Sequence, residues 1–581
     1  MHVDVQTFIV KDSGSALVGC AHNSCLQSLP AYWACHGYDT PAVIPDRRAT
    51  HRPLGLAHLH PLLVHQGEST PPRSKPPRYG ASADPRSQSD RVTGVDYGRG
   101  SIVAGFGASQ GPVSKLHYLV PATKPSLGLC YNLVSSAANR FPVPTLLGYN
   151  GATGDSATTN VPHLAKLRLV ARYLDRLRPE DDDDLVLIVD GPGVVMQLPP
   201  EVLIERYFEA RKRSEARMAE RLGVTVEDAR SRGMRQTLFW GPDMRCSPDD
   251  PAAARCWAVP KSDVLSDDPR ARDGGVPFHD VRYLNSGTAM GPVAEMRALM
   301  AAALAEMEED TKNNLEEADA KGDSAQDQDY VGDLFGRQEY YRSLETTGKE
   351  PPGGPDNRRI PSKRHKDQRT EHHMAIDYKS ILFQPRAGYG AFLRHMRFDR
   401  PGFKAHTNSD VLAQGDDFAP RDIHMPTNVR YALARLYSSI PRAHPGSAAA
   451  GAWVAGVELG VNLVTGHIYA AWHCAGDDTE ALLRGEVART WWYRHARSLV
   501  RASVRALQGG ELITPQLLDG RQWAPKMVYP DGGTLRDELG GAWVDEGDGE
   551  FVEWARLCGR YGEALFAGEE GPLLIMASGD V

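Results

Sequence analysis

The clearest pattern along the chain is a short apolar run, Leu185 to Val189, rich in β-branched residues. It follows four consecutive aspartates, Asp181 to Asp184, and stops at Asp190. Such a run reads as a fully buried strand of a parallel sheet. Gly191-Pro192-Gly193 then turns the chain. Upstream, Leu116 to Thr123 reads as a strand, Cys130 to Asn139 as a helix and Pro144 to Tyr149 as a second strand. His163 to Leu177 carries Leu164, Leu167, Val170, Ala171 and Leu174 on one helical face. Strand, helix, strand, helix, strand implies a parallel sheet with right-handed crossovers.

Downstream the pattern continues in the same style. Pro199-Pro200 opens a helix, proline being tolerated in a first turn. Gln236 to Gly241 and Tyr283 to Gly291 read as strands, the second broken at Gly287, where a chain or a ligand can approach the backbone closely. A helix is expected from Pro292 to about Glu308, and Tyr330, Val331, Leu334 and Phe335 recur at helical spacing. Trp453 to Leu459 and Gly466 to Trp472 read as late strands, the latter ending at His473, and a helix is expected from Arg489 to Leu507. Residues 1–112 include a stretch from Glu68 to Gly100 dominated by Pro, Arg, Ser and Gly, a composition expected to be low-complexity and disordered. This gives an α/β domain over 113–510, with loop insertions at about 343–373 and 398–450, and a C-terminal extension over 511–581.

Composition narrows the function classes. A net charge of -8 over 581 residues argues against general nucleic-acid affinity, which needs a basic footprint. No apolar run is long enough for a membrane span, and the first residues form no convincing signal peptide or anchor. Eight cysteines are too few for a disulfide scaffold. Cys246 and Cys256 are close enough to bond if the protein meets an oxidising compartment, and are thiols otherwise.

Ligands of open α/β sheets bind outside the carboxyl ends of strands, which is where Asp190 falls. A carboxylate there can hold a cation that carries phosphate; it can equally be a turn former or helix cap. His473, at another strand end, is either a ligand or a surface histidine.

Several blocks resemble a fungal glycosyltransferase family related to the GT-A glycosyltransferase domain of procollagen lysyl hydroxylases. They are Leu119 to Thr123, Val189 to Tyr207, Leu284 to Gly291, Asp327-Gln328 with Phe335 to Tyr340, Ile376 to Tyr378 with Leu382 to Gln384, and His473 with Trp491-Trp492. The resemblance implies a GT-A-like (Rossmann-like), mostly parallel mixed sheet flanked by helices, and transfer of a sugar from a UDP-sugar to a hydroxyl of a protein or glycan acceptor. It places Mn2+ or Mg2+ at Asp190 and His473, an ion that would neutralise the leaving diphosphate. It assigns Thr123, Lys166, Asn285, Ser286 and Gly287 to the donor site and Asp327 to the acceptor side as a base. It implies the Golgi or endoplasmic reticulum lumen, a soluble cytoplasmic location being the other reading. The chain departs from the family where a second metal aspartate is usual: that position is Gly193. A relative that has lost catalysis and binds a glycan, nucleotide or partner protein is therefore the alternative.

Overall fold

The computed structural model describes residues 111–568 except 150–161, 263, 265–279, 315–325, 364–365, 408–420, 441–449, 475–478, 532–534, 536 and 546–548. The chain divides into two compact units, Met1–Ser109 and Gln110–Val581, and every described residue belongs to the second. The expected disorder over 1–112 lies outside the described residues, apart from 111 and 112 at its edge.

The described residues form a mixed α/β structure around a large, mostly parallel sheet. Its early strands are β1 (Val113–Pro121), β2 (Thr145–Leu147) and β3 (Leu185–Val189), with helices α1 (Leu127–Ala138) and α2 (Pro162–Asp175) between them. Both β2 and β3 run parallel to β1, as the strand-helix alternation predicts. The strands are buried on both faces. In β3, Leu185, Leu187 and Val189 enter one apolar core while Val186 and Ile188 enter another. This is the period-two alternation of a strand covered by helices on each side, and it explains the uninterrupted apolar run. The first core is covered by α1 and by α3 (Pro200–Leu222), the second by α2 and the helices Val293–Asn314 and Asp327–Thr347.

The aspartate run is explained at the amino end of β3. Asp184 accepts from the Lys115 N–H at 2.7 Å and meets the buried His117 at 3.2 Å. Asp182 pairs with Arg297 and Asp181 with Lys526. These carboxylates fasten the strand to its neighbours and lie opposite the site end.

Beyond β3 follow β4 (Val194–Met196), β5 (Leu238–Asp243), β6 (Tyr283–Pro292), β7 (Met374–Ile376) and β8 (Phe383–Pro385). β6 lies antiparallel between β3 and β5, and β7 is parallel to β5. Because β6 is reversed, residues near its start sit beside the carboxyl end of β3. A small second sheet places the strand Ala471–His473 between β4, antiparallel, and β8, parallel.

Several expectations change. Gly466 to Trp472 is two strands, His467–Ile468 and Ala471–His473, in different sheets; β6 runs unbroken through Gly287; and the helix expected from Arg489 is Ala496–Gln508. Trp453 to Leu459 is not one strand: Ala450–Gly456 is a helix and the strand is Glu458–Asn462, Ala450, Ala452 and Ala455 favouring the helix. The segment around 398–450 is not featureless, since it holds the hairpin Lys404–Thr407 with Arg421–His424 and the helix Thr427–Ser439. The described part of the C-terminal extension, residues 511–568, contributes strands to the main sheet. The strand Arg521–Pro525 runs parallel to the amino half of β1, and Gly541–Val544 runs parallel to β2. Disulfides join Cys130 to Cys558 and Cys246 to Cys256. Among the described residues, no helix is long and apolar enough to cross a membrane.

Candidate functional site

The end of β3 is held against β6 by the Asp190 N–H, which donates to the Gly287 carbonyl at 2.9 Å. The Asp190 side chain leaves this edge and remains 36% exposed. Lys166, in the first half of α2, reaches across the sheet edge to it. Its ammonium donates to Asp190 Oδ1 at 2.7 Å and to the Ser286 carbonyl at 2.8 Å, and lies 3.1 Å from Asp327 Oδ2. An ammonium has three protons, and three oxygens surround this one. The two carboxylates, aided by hydrogen bonds, push its pKa up against the opposing and largest effect of burial. Lys166 therefore stays charged and ties β3, β6 and the Asp327 helix together at one point.

Asp327 occupies the first turn of its helix, 5% exposed, where the helix dipole favours a carboxylate. Its neighbour Gln328 accepts from the Ser286 N–H at 3.0 Å. Within β6, Asn285 Oδ1 accepts from the Gly287 N–H at 3.0 Å. Its amide nitrogen faces Asp243 Oδ2 at 3.4 Å. The Asp243 carboxyl, at the end of β5, is raised by burial.

His473 arrives from the small sheet, whose register sets it opposite Val194. The imidazole packs on Gly287. A Cβ at Gly287 would lie 2.7 Å from its Nε2, so any side chain there would collide with the ring. The close approach expected at Gly287 is thus made by the chain itself. His473 is 6% exposed, and its ring has no hydrogen-bond partner among the described residues. Burial lowers its pKa, Lys166 adds to this and Asp190 opposes it, so the ring is neutral near pH 7.

Gly193 faces the same ring from the other side. A Cβ there would stand 2.6 Å from the Cys474 carbonyl oxygen and 3.3 Å from His473 Cδ2. The Cys474 N–H in turn donates to the Gly193 carbonyl at 2.8 Å. The place of a second aspartate is filled by backbone, and a carboxylate could enter only if the strand pair moved.

For a divalent ion the residues fit in part. Asp190 offers a partly exposed carboxylate, and His473 offers a buried, neutral and unpartnered imidazole, a donor set that suits manganese. Among the described residues no cluster of three His, Cys, Asp or Glu side chains could hold a metal.

The structure thus brings Lys166, Asp190, Asn285, Ser286, Gly287, Asp327 and His473 to one place. Thr123 is exposed on the loop after β1, and that loop packs against Gly191 through Pro121 and Ala122. Trp491 and Trp492 are core residues whose indoles donate to the Gln197 and Met196 carbonyls. Sequence reasoning missed Asp243, and named Gln328 only as part of a block, without a role. An aspartate closing the strand Leu238–Asp243 repeats the signal that marks Asp190, whereas the inward turn of Gln328 leaves no trace in the apolar pattern.

No model of a known protein family matches this chain, and no curated protein is similar to it.

Proposed function

We propose that this protein transfers a sugar from a UDP-sugar to a hydroxyl acceptor at the carboxyl end of β3, on a GT-A-like fold. The supporting observation is the convergence of Lys166, Asp190, Asp327 and His473, drawn from four distant segments, around a neutral and unpartnered imidazole. The His473 ring carries no hydrogen bond to the described residues, which leaves it available to a ligand beside Asp190.

In this reading Asp190 and His473 would hold a divalent ion together with the donor diphosphate. Bound there, the ion would offset the charge that develops on the departing diphosphate. Lys166 works from inside: its three contacts fix the directions of Asp190 and Asp327. Asn285, Ser286 and Gly287 form the floor on which the donor rests. The acceptor oxygen attacks the anomeric carbon, the bond to the diphosphate breaks, and the acceptor proton passes to Asp327 through the oxygen that does not face Lys166. The two disulfides favour an oxidising compartment such as the Golgi or endoplasmic reticulum lumen.

The second reading is a non-catalytic relative that binds a nucleotide, a glycan or a partner protein. The backbone filling beside Gly193 favours it, because a hard ion is left with two protein donors. Calorimetric titration of UDP with and without Mn2+, on the wild type and on Asp190→Ala, separates the two. Manganese-dependent binding that disappears in the variant, followed by turnover of a UDP-sugar, is the expected result. UDP binding indifferent to both manganese and Asp190, or none at all, would overturn the transferase reading.

A further inference from the structure

A small open cavity of about 80 Å³ lies between α3 and the segment after β7, and no residue of the Asp190 site lines it. Helical spacing puts Arg213 and Arg217 on one face of α3, a turn apart. Lys379 and Ser214 line the same cavity, the Ser214 hydroxyl being engaged by Gln236, and Phe239, Ile376 and Tyr378 give it an apolar and aromatic character. Arg217 lies over the Tyr378 ring at 4.3 Å, which fixes its guanidinium at the rim. Lys379 has no acidic partner among the described residues. Arg213 has only Glu209, at 3.8 Å on an exposed face, a pairing worth little in water.

The acids around the cavity do not cancel these cations. Asp377 lines it, but its oxygens accept N–H groups from Ile381, Leu382 and Phe383, and burial pushes its carboxyl up to about 7. His467 gives an independent sign of the local field: burial, then Arg206, Arg213, Lys379 and Arg421, hold its imidazole down to about 4. A cavity of this size can take one tetrahedral anion, and Arg213 and Lys379, with one weak acidic partner between them, favour an anion there.

We propose that this cavity is a second ligand site, for a small molecule bearing a tetrahedral oxyanion, phosphoryl or sulfuryl. Arg213 and Lys379 hold the anionic group, and the body that carries it extends out past the Tyr378 ring. The inference does not rest on the transferase reading.

The test is calorimetry on the full chain with inorganic phosphate, inorganic sulfate and a hexose 6-phosphate as probes. The expected result is saturable binding, weakened about tenfold or more in the Arg213→Ala/Lys379→Ala double variant, largely kept in Arg213→Lys, and unchanged in Asp190→Ala. Both residues of the double variant are surface-accessible, and an unchanged unfolding midpoint would show that folding is intact. Tighter binding of the hexose phosphate than of phosphate assigns the site to an anionic sugar, and equal affinity assigns it to the free anion. Absence of saturable binding of every probe, or binding that the double variant leaves untouched, overturns the proposal.

Discussion

Two parallel strands of the main sheet end alike in sequence and differently in space. β3 is an apolar run closed by Asp190, and β7 is an apolar run closed by Asp377. Asp377 turns back on its own chain, accepting three backbone N–H groups from residues 381–383, and is 4% exposed. Asp190 meets an ammonium from another element and keeps a third of its side chain open to solvent. A carboxylate occupied by its own backbone builds a turn. One held by a distant side chain and left partly open can meet a ligand.

The contrast breaks most severely if the cation is removed. Lys166→Met would leave Asp190 and the buried Asp327 facing each other without a counter-charge, with an expected cost of about 3–5 kcal/mol in urea unfolding. Adding Asp327→Asn should recover part of it; full stability of the single variant would show that the pairing contributes nothing.

Gly193→Asp tests whether the missing carboxylate can simply be restored. Crowding against the Cys474 carbonyl should destabilise the fold by about 1–3 kcal/mol without improving manganese-dependent UDP affinity. A variant that is stable and binds UDP more tightly would show that the strand pair gives way.

Asp377→Asn sharpens the comparison through pH. The Asp377 carboxyl is raised from 3.8 to about 7 in the folded state, chiefly by burial. A group raised on folding supports stability fully below its unfolded pKa, and that support is lost as pH rises through the folded pKa. Wild-type stability should therefore carry a decline between about pH 4 and 7 that the asparagine variant lacks, read from urea unfolding across that range. Parallel pH profiles of the two proteins would contradict this. Gln328→Ala should have the smallest effect, about 1 kcal/mol, by leaving the Ser286 N–H unpaired.

How much of this was legible in sequence follows from the same pair of aspartates. The apolar run and its sudden end locate both strand ends, so Asp190 stands out, and so could Asp243 and Asp377. Nothing in the run says which carboxylate stays open, because that depends on a side chain 24 residues away in sequence, Lys166, which is itself held by the Ser286 carbonyl 120 residues from it. The reversal of β6 is equally hidden, since a buried strand has the same apolar pattern in either direction. Gly287 was readable as a close approach, but its visitor, His473, was not. The late strands escaped notice because they are short and lie among turns, and their partners are at the far end of the domain.

Those late partners have a consequence for how the protein is made. Val113 in β1 pairs with Gln522, and Cys130 bonds to Cys558 across 428 residues of sequence. On the ribosome, the first strand of the sheet must wait, with one edge uncovered, until nearly all of the domain has been synthesised. Pairings of such long range form slowly and leave apolar strands exposed meanwhile. A recombinant chain stopped at residue 510 would keep every residue of the Asp190 site and still leave that edge bare, so it should aggregate where the full chain stays in solution.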